Sequence, residues 1–343
     1  MKKALITGIA GQDGAFLAAE LLGSGYEVYG AFRRGGNPKI DRLNVLKIAN
    51  RVRLVSVEIS DLSNVLATMS EIRPDLVFNL AAQSFVQDSF MHPTLTTQVN
   101  YFGALNFLES IRLLGIDCKF FQASSSEIFG NADISPQDEN TQYRPLSPYA
   151  IAKCAAHQLV GVYRANYGMY ASSGILFNHE SELRGREFVT RKISSQMAEI
   201  ALGRKKPIEL GNLNSARDWG YARDYVRGMK VILESDKPGD YVLATNTSST
   251  VREFLSATAS YAGFRPHFEG EGLDERCIDL LSGRVLCSID KRFFRSIDVE
   301  SPRGDFSKIF DAFGWEPTTS LNEMAELMVK FDLDRLTSNG YIG

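Results

Sequence analysis

The chain has 343 residues, 44% of them apolar and 23% charged, with a net charge of −3. That length suits one large domain or a domain with a substantial second lobe, and the near-neutral balance gives no reason to expect nucleic acid or an anionic membrane as partner. The four cysteines (Cys118, Cys154, Cys277, Cys287) lack Cys-x-x-Cys spacing and nearby paired histidines, so reduced thiols and no metal are expected.

Met1-Lys2-Lys3 leads directly into a short apolar stretch rather than a leader, and no apolar run reaches membrane-spanning length, so a soluble cytoplasmic protein is expected. Lys3–Thr7 reads as a strand, Gly8-Ile9-Ala10-Gly11-Gln12-Asp13-Gly14 as a glycine turn, 15–24 as an amphipathic helix and Glu27–Phe32 as a second strand. This is a βαβ unit whose glycines let backbone N–H groups at a helix start approach a pyrophosphate. The spacing G-x-x-G-x-x-G differs from the commoner G-x-G-x-x-G, and its bland alternative is a turn without a ligand. A 2′-hydroxyl is held by an acidic residue after the second strand, a 2′-phosphate by arginine. Arg33-Arg34 stand there and no carboxylate follows until Asp41, which points to NADP.

Further α/β alternation follows: a strand over 53–57, Asp61-Leu62 at a loop position suited to adenine, a helix over 64–71 and a buried strand over 76–80. The loop Ala81-Ala82-Gln83-Ser84 has small residues that would let a cofactor lie close. A long helix is predicted over 94–114, then a strand Lys119–Ala123 that opens into Ser124-Ser125-Ser126-Glu127. Tyr149 and Lys153, four apart in Ser147-Pro148-Tyr149-Ala150-Ile151-Ala152-Lys153, share one helix face. A neighbouring ammonium favours the phenolate, so the pair is a way to make tyrosine a base near neutral pH, with a serine hydroxyl to hold a substrate oxygen. Tyr-x-x-x-Lys falls on many ordinary helices and acquires meaning only beside a nucleotide site. The alternation implies a Rossmann-type, doubly wound, mostly parallel sheet flanked by helices.

Past the strand Ala171–Leu176 the alternation becomes irregular, with a helix to about residue 202 and a strand over 241–245 returning to the main sheet. The expected division is 1–178 plus about 221–247 as the NADP-binding domain, and 179–220 plus 248–343 as a smaller discontinuous lobe. Arg184, Lys192, Arg217 and Arg295 stand near Gly185, Phe188, Trp219 and Phe294. Each alone is a solvated cation; together they suggest a pocket for a diphosphate and a base, as a nucleotide-sugar requires.

Taken together, these segments resemble the extended short-chain dehydrogenase/reductase family over essentially the whole chain. Within it they are most similar to the GDP-mannose 4,6-dehydratases. The resemblance rests on Leu5-Ile6-Thr7-Gly8-Ile9, Asn79-Leu80-Ala81-Ala82-Gln83-Ser84, Asn178-His179-Glu180-Ser181, Thr190-Arg191-Lys192 and Arg217-Asp218-Trp219-Gly220. It implies a redox-neutral dehydration in which Tyr149 deprotonates the sugar 4-hydroxyl, Glu127 removes the C5 proton, Ser125 holds the 4-oxygen and Lys153 binds the nicotinamide ribose. It implies cofactor contacts from Gly8, Gly11, Gln12, Asp13, Gly14, Arg33, Arg34, Asp61, Leu62, Leu80, Ala81, Ala82, Ser84, Tyr149 and Lys153. Leu176, Asn178, His179 and Arg184 complete that set. Ser84, Ser125, Glu127, Asn178, Lys192, Arg217, Arg295 and Asp298 would bind the GDP-sugar, and a homo-oligomer, dimer or tetramer, is implied.

The chain departs from the family at several positions. Ser125 replaces a threonine, Glu182 a proline, Asp298 a glutamate and Ser296 a proline. Gly35-Gly36-Asn37 replaces serines in a loop that pairs subunits, and Tyr143-Arg144-Pro145-Leu146 replaces an aromatic-Pro-Arg run. These bear on which sugar is used, GDP-mannose or a GDP-manno-heptose. A nucleotide-sugar epimerase or decarboxylase of the same fold is the enzymatic rival, with Glu127 against the epimerase. An NADP-binding regulatory protein is the non-enzymatic one, and such proteins typically lose the Tyr or the Lys kept here.

Overall fold

The computed structural model describes residues 1–33, 40–204, 206–293 and 302–338. The chain divides into two compact units: residues 1–177, 222–244 and 304–316 in the first, 178–221, 245–303 and 317–343 in the second.

The first unit is built on a seven-stranded sheet. Its strands β1 (Lys3–Thr7), β2 (Glu27–Phe32), β3 (Arg53–Ser56), β4 (Leu76–Asn79), β5 (Lys119–Ala123) and β6 (Ala171–Leu176) are joined at one edge by Asp240–Leu243. Every pairing is parallel, and the order runs Asp240–Leu243, β6, β5, β4, β1, β2, β3. β4 and β6 are buried along their whole length and β1 along all but its first residue, as a sheet covered by helices on both sides demands. Strand order reverses at β1, which places a crevice outside the carboxyl ends of β1 and β4, where such folds take ligands. On the edge strand, the Val242 N–H donates to Glu139 Oε1 at 2.7 Å, which covers part of the edge that another strand could otherwise pair with.

Three helices differ from the sequence expectation, each for a local reason. Helix α1 runs Gln12–Gly23, starting three residues earlier than predicted, because extended Gly11 is its N-cap and Gly14 already lies in its first turn. The helix predicted over 64–71 is Leu62–Ile72, since the Asp61 carboxylate accepts from Ser63 N and Asn64 N and caps it. The long helix predicted over 94–114 contains a π segment, Gln98–Phe102, between Pro93–Thr97 and Gly103–Leu114. Residues 304–316 return to the first unit, where the Trp315 indole N–H donates to the Asp224 carbonyl at 2.9 Å.

The second unit has a four-stranded sheet ordered Pro266–Glu269, Arg276–Asp279, Val285–Ile289, Ile208–Leu210, with helices Val189–Ala201, Val251–Tyr261 and Leu321–Ser338 packed around one apolar cluster. Arg191 and Asp332, both buried, pair there and Ser194 joins them. Among the described residues no helix is long and apolar enough to cross a membrane, and all four cysteines are free, buried thiols.

Candidate active site

The glycine turn joins β1 to α1. Gly8 has φ +71, and a Cβ there would lie 3.0 Å from Ala81 N, so the turn presses against the loop after β4. A Cβ at Gly14 would fall 2.4 Å from Gly8 O and 2.8 Å from Ile9 Cα, both backbone atoms that cannot step aside. Gly11 N donates to Gly8 O at 2.9 Å, which closes the turn, and the Gln12 amide donates to Asp13 Oδ1 at 3.0 Å. The N-terminus of a twelve-residue helix thus opens onto the crevice with an anion-favouring end.

Behind the crevice a buried polar chain crosses three strand ends. Thr7 Oγ1 donates to Asn79 Oδ1 (2.8 Å) and accepts from Ala81 N (2.9 Å). Asn79 Nδ2 donates to Gln122 Oε1 (2.8 Å), whose Nε2 donates to the Ala123 carbonyl (2.9 Å). That carbonyl also receives Lys153 Nζ at 2.8 Å. The register explains the alignment: Thr7 pairs with Asn79 and Asn79 with Gln122. The π segment contributes a second link, buried Asn100, which accepts from Gln83 N (2.9 Å) and donates to Gln83 O (3.1 Å). Sequence reading passed over both features. Polar residues at the ends of two apolar strands (Thr7, Asn79) and one position before the end of a third (Gln122) were a usable signal for the first; the π segment left none.

Ser125 is extended and caps the 3-10 turn Ser126–Phe129, its Oγ accepting from Glu127 N at 3.3 Å. Helix Pro148–Tyr167 is capped by Ser147 and packs against that turn and against β5. Ser125, Tyr149 and Lys153 are all buried, while Glu127 is half-buried. Lys153 Nζ lies 5.8 Å from the centroid of the Tyr149 ring. Burial brings the Lys153 ammonium down to about 8 from an ordinary 10.5, against a smaller opposing pull from the Asp13 carboxylate. The expected set Ser125, Glu127, Tyr149 and Lys153 therefore shares one strand end with the glycine turn two strands away.

The remaining expected residues are distributed as follows. Leu80, Ala81, Ala82 and exposed Ser84 line the loop after β4, and Leu176 ends β6. Asp61 caps its helix and Leu62 is that helix's first residue. Arg33 Nε stands 3.5 Å from Glu58 Oε2. Arg34, Arg295 and Asp298 lie outside the described residues.

In the second unit, Asn178 and His179 lie in a short strand paired with Trp219–Tyr221. Arg184 Nε faces Glu180 Oε2 at 3.3 Å and its guanidinium stacks 3.6 Å from the Phe188 ring centroid; Thr190 Oγ1 donates to the same carboxylate oxygen at 2.5 Å. Lys192 Nζ donates to Glu209 O at 2.6 Å and sits 3.8 Å over the Phe293 ring, with burial lowering its pKa. Arg217 Nη1 donates to Ala216 O at 2.7 Å. Glu182, at the position where proline is usual, receives the Tyr221 hydroxyl at 3.1 Å.

Comparison with known proteins adds the following. The family profile described as GDP-mannose 4,6 dehydratase matches residues 5–328. A GDP-mannose 4,6-dehydratase of Sinorhizobium fredii (strain HH103) is 44% identical over 342 residues, covering 98% of this chain and 97% of that protein. One of Vibrio cholerae is 44% identical over 349 residues, covering 97% and 94%. Among solved structures, the Thermus thermophilus UDP-glucose 4-epimerase in complex with NAD superposes with a TM-score of 0.80 at 25% identity, over 96% of this chain and 98% of that one.

Proposed function

Because this chain belongs to the GDP-mannose 4,6 dehydratase family, we propose that it is an NADP-dependent hydro-lyase converting GDP-mannose to GDP-4-keto-6-deoxy-mannose. The observation that carries the reading is the joining of Tyr149, Lys153, Ser125 and Glu127 to one strand end within the unit that also holds the glycine turn.

The residues present suit a dinucleotide. Gly8 and Gly14 leave backbone where a Cβ would collide, α1 presents its N-terminus, and Gln83 Oε1 and Ser124 Oγ are buried acceptors at the ends of β4 and β5 with no hydrogen-bond partner among the described residues. Backbone N–H groups of the Gly8–Gly14 turn would hold the diphosphate, Gln12 and Asp13 would line the cofactor beside it, and Arg33 would hold the 2′-phosphate. NADP, when bound, supplies a hydride acceptor for C4 of the sugar and a hydride donor for C6.

Tyr149 takes the proton of the 4-hydroxyl as that carbon is oxidised, and Ser125 donates to the developing 4-oxygen. Lys153, fixed on the Ala123 carbonyl, presents a positive charge beside the Tyr149 ring and favours its ionised form. The 4-ketone acidifies C5; Glu127 removes that proton and passes it to the C6 hydroxyl, which leaves as water, and as C6 is reduced C5 takes up a proton equivalent to the one Tyr149 took from the 4-hydroxyl. The cofactor ends as it began. Asn178, Lys192 and Arg217 would hold the GDP part by charge-assisted hydrogen bonds. A GDP-manno-heptose is the second reading; it is supported by Ser125, which lacks a threonine's methyl. A cytoplasmic homo-oligomer is part of the same proposal.

The test is incubation of the purified protein with GDP-mannose and no added nucleotide. Mass spectrometry should show a product one water lighter, and denaturation should release NADP. No dehydrated product from GDP-mannose, with conversion of a GDP-heptose instead, would move the assignment to the second reading; conversion of neither sugar would refute the lyase.

A further inference from the structure

The parallel ladder between β4 and β5 stops one rung short of the crevice. Lys119 N donates to Asp75 O at 2.9 Å, so alternate residues of β5, Ala123 the last of them, point their backbone groups at β4. The next rung would run from Ala81 N to the Ala123 carbonyl. It is not made, because Ala81 N donates to Thr7 Oγ1 instead, at 2.9 Å. Thr7, Asn79 and Gln122 bridge the gap with side chains, and the bridge has one direction only. A backbone N–H stands at its start and a carbonyl at its end, so each amide must accept from the Ala81 side and donate toward Ala123. Turning either amide around, or both, would set two oxygens against each other. All three residues are buried, so water does not relieve such a contact.

The Ala123 carbonyl, freed from the ladder, accepts from Gln122 Nε2 at 2.9 Å and from Lys153 Nζ at 2.8 Å, which uses both of its lone pairs. Two donors on one carbonyl oxygen at such lengths stand roughly 5 Å apart. The positive end of the locked amide therefore faces the ammonium and weakens the hold of the carbonyl on it without releasing it. Asp13 on α1 attracts the same ammonium. Tyr149 and His157 share its helix, and Glu127 stands on the 3-10 turn packed against that helix. Resting on the catalytic reading above, we infer that Gln122 is a positioning residue for Lys153. Its amide fixes the carbonyl that takes one ammonium hydrogen, which leaves the other two for the reaction. Gln122 acts through Lys153 and not on the substrate.

The experiment compares the full-length parent with Gln122→Glu and Gln122→Met. Ionisation of Lys153 is followed in nucleotide-stripped protein by NMR of lysine isotopically labelled at Cε, its signal assigned by its loss in Lys153→Arg. Turnover and KM are measured on NADP-loaded protein with the GDP-sugar that the parent dehydrates. In Gln122→Glu a carboxylate replaces the positive end of the amide, so the Lys153 midpoint should rise by about one pH unit or more. Gln122→Met matches glutamine in length and cannot ionise, and it keeps the test available should the buried carboxylate prevent folding. There the midpoint should rise by roughly half a unit. In both variants kcat should fall about tenfold or more while KM for the sugar and NADP content stay within about threefold. A midpoint unmoved in both, or a moved midpoint with parental kcat, overturns the inference. So does a fall in kcat matched by a change in KM or by lost NADP, since that marks a brace of the sheet rather than of Lys153. A parent that dehydrates no GDP-sugar refutes the lyase reading and this inference with it, whereas an active parent with any of those results refutes the inference alone.

Discussion

Replacing Lys153 with methionine removes a charge that the fold holds almost wholly away from solvent (3% exposed). Its fall from 10.5 to about 8 corresponds, at about 1.36 kcal/mol per pH unit, to roughly 3 kcal/mol of folding free energy lost to burying the ammonium. The variant forfeits one hydrogen bond, about 1 kcal/mol, yet the Ala123 carbonyl keeps its bond from Gln122 Nε2 at 2.9 Å, so no acceptor is orphaned. Lys153→Met should therefore be more stable than the parent by roughly 2 kcal/mol at pH 7, and inactive. The pH dependence is the sharper reading. Below pH 8 folded and unfolded chains both carry the proton, and the full penalty stands. Between about 8 and 10.5 only the unfolded chain keeps it, so this group makes the parent more stable as pH rises. Urea unfolding of nucleotide-free protein should show the variant's advantage shrinking by roughly 2 kcal/mol between pH 8 and about 9.5. Buried Cys118, Cys277 and Cys287, whose thiols are pushed up by burial, act in the opposite sense in both proteins and cancel in the difference. A difference that stays flat with pH, or a variant less stable than the parent at pH 7, would refute the argument that the site is maintained at the expense of stability.

Three further outcomes follow from particular contacts. Glu127→Gln keeps shape but cannot accept the C5 proton, so mixing with the GDP-sugar should give nicotinamide reduction without deoxy product, and exchange of the C5 hydrogen with deuterated water should fall by about two orders of magnitude or more; parental turnover would remove Glu127 from the mechanism. Gly14→Ala places a carbon 2.4 Å from Gly8 O and should weaken NADP at least about tenfold and cost roughly 1–3 kcal/mol, whereas Gly23→Ala, with nothing within 4 Å, should be neutral or slightly stabilising in the same melts. Arg191→Met leaves Asp332 buried without its partner and should cost roughly 3–5 kcal/mol in urea unfolding, with most of it recovered when Asp332→Leu is added; a double variant as unstable as the single would show that packing, not the lone charge, was at fault.

Local signals carried the first unit. Gly8, Gly11 and Gly14 announce a turn that no side chain could occupy, and apolar strands with few polar interruptions announce a sheet covered on both faces. Tyr149 and Lys153 announce a shared helix face because four residues is one turn. Each of these depends on neighbours within a few positions, so composition and spacing suffice. The second unit was harder to read, since its strands are short and three separate stretches of chain interleave in it. Phe188 stacking on Arg184 and Phe293 on Lys192 could not be assigned from adjacency, because the ring that meets a cation is set by packing.

The sequence by itself determined the parallel α/β architecture, the glycine turn and the chemical groups of the site, because backbone sterics and helix periodicity act over one or two turns. Only the tertiary structure decided how those groups are tuned. Thr7, Asn79 and Gln122 stand far apart in the chain and form one hydrogen-bonded row only after parallel pairing sets their register. Lys153 loses its ordinary basicity only when β5 and its helix close around it. Arg42 meets the Ala10 carbonyl of the turn only because the short helix Asp41–Val45 docks there. In each case a free energy depends on burial and on a partner brought from a distant part of the chain, which no window of local sequence contains.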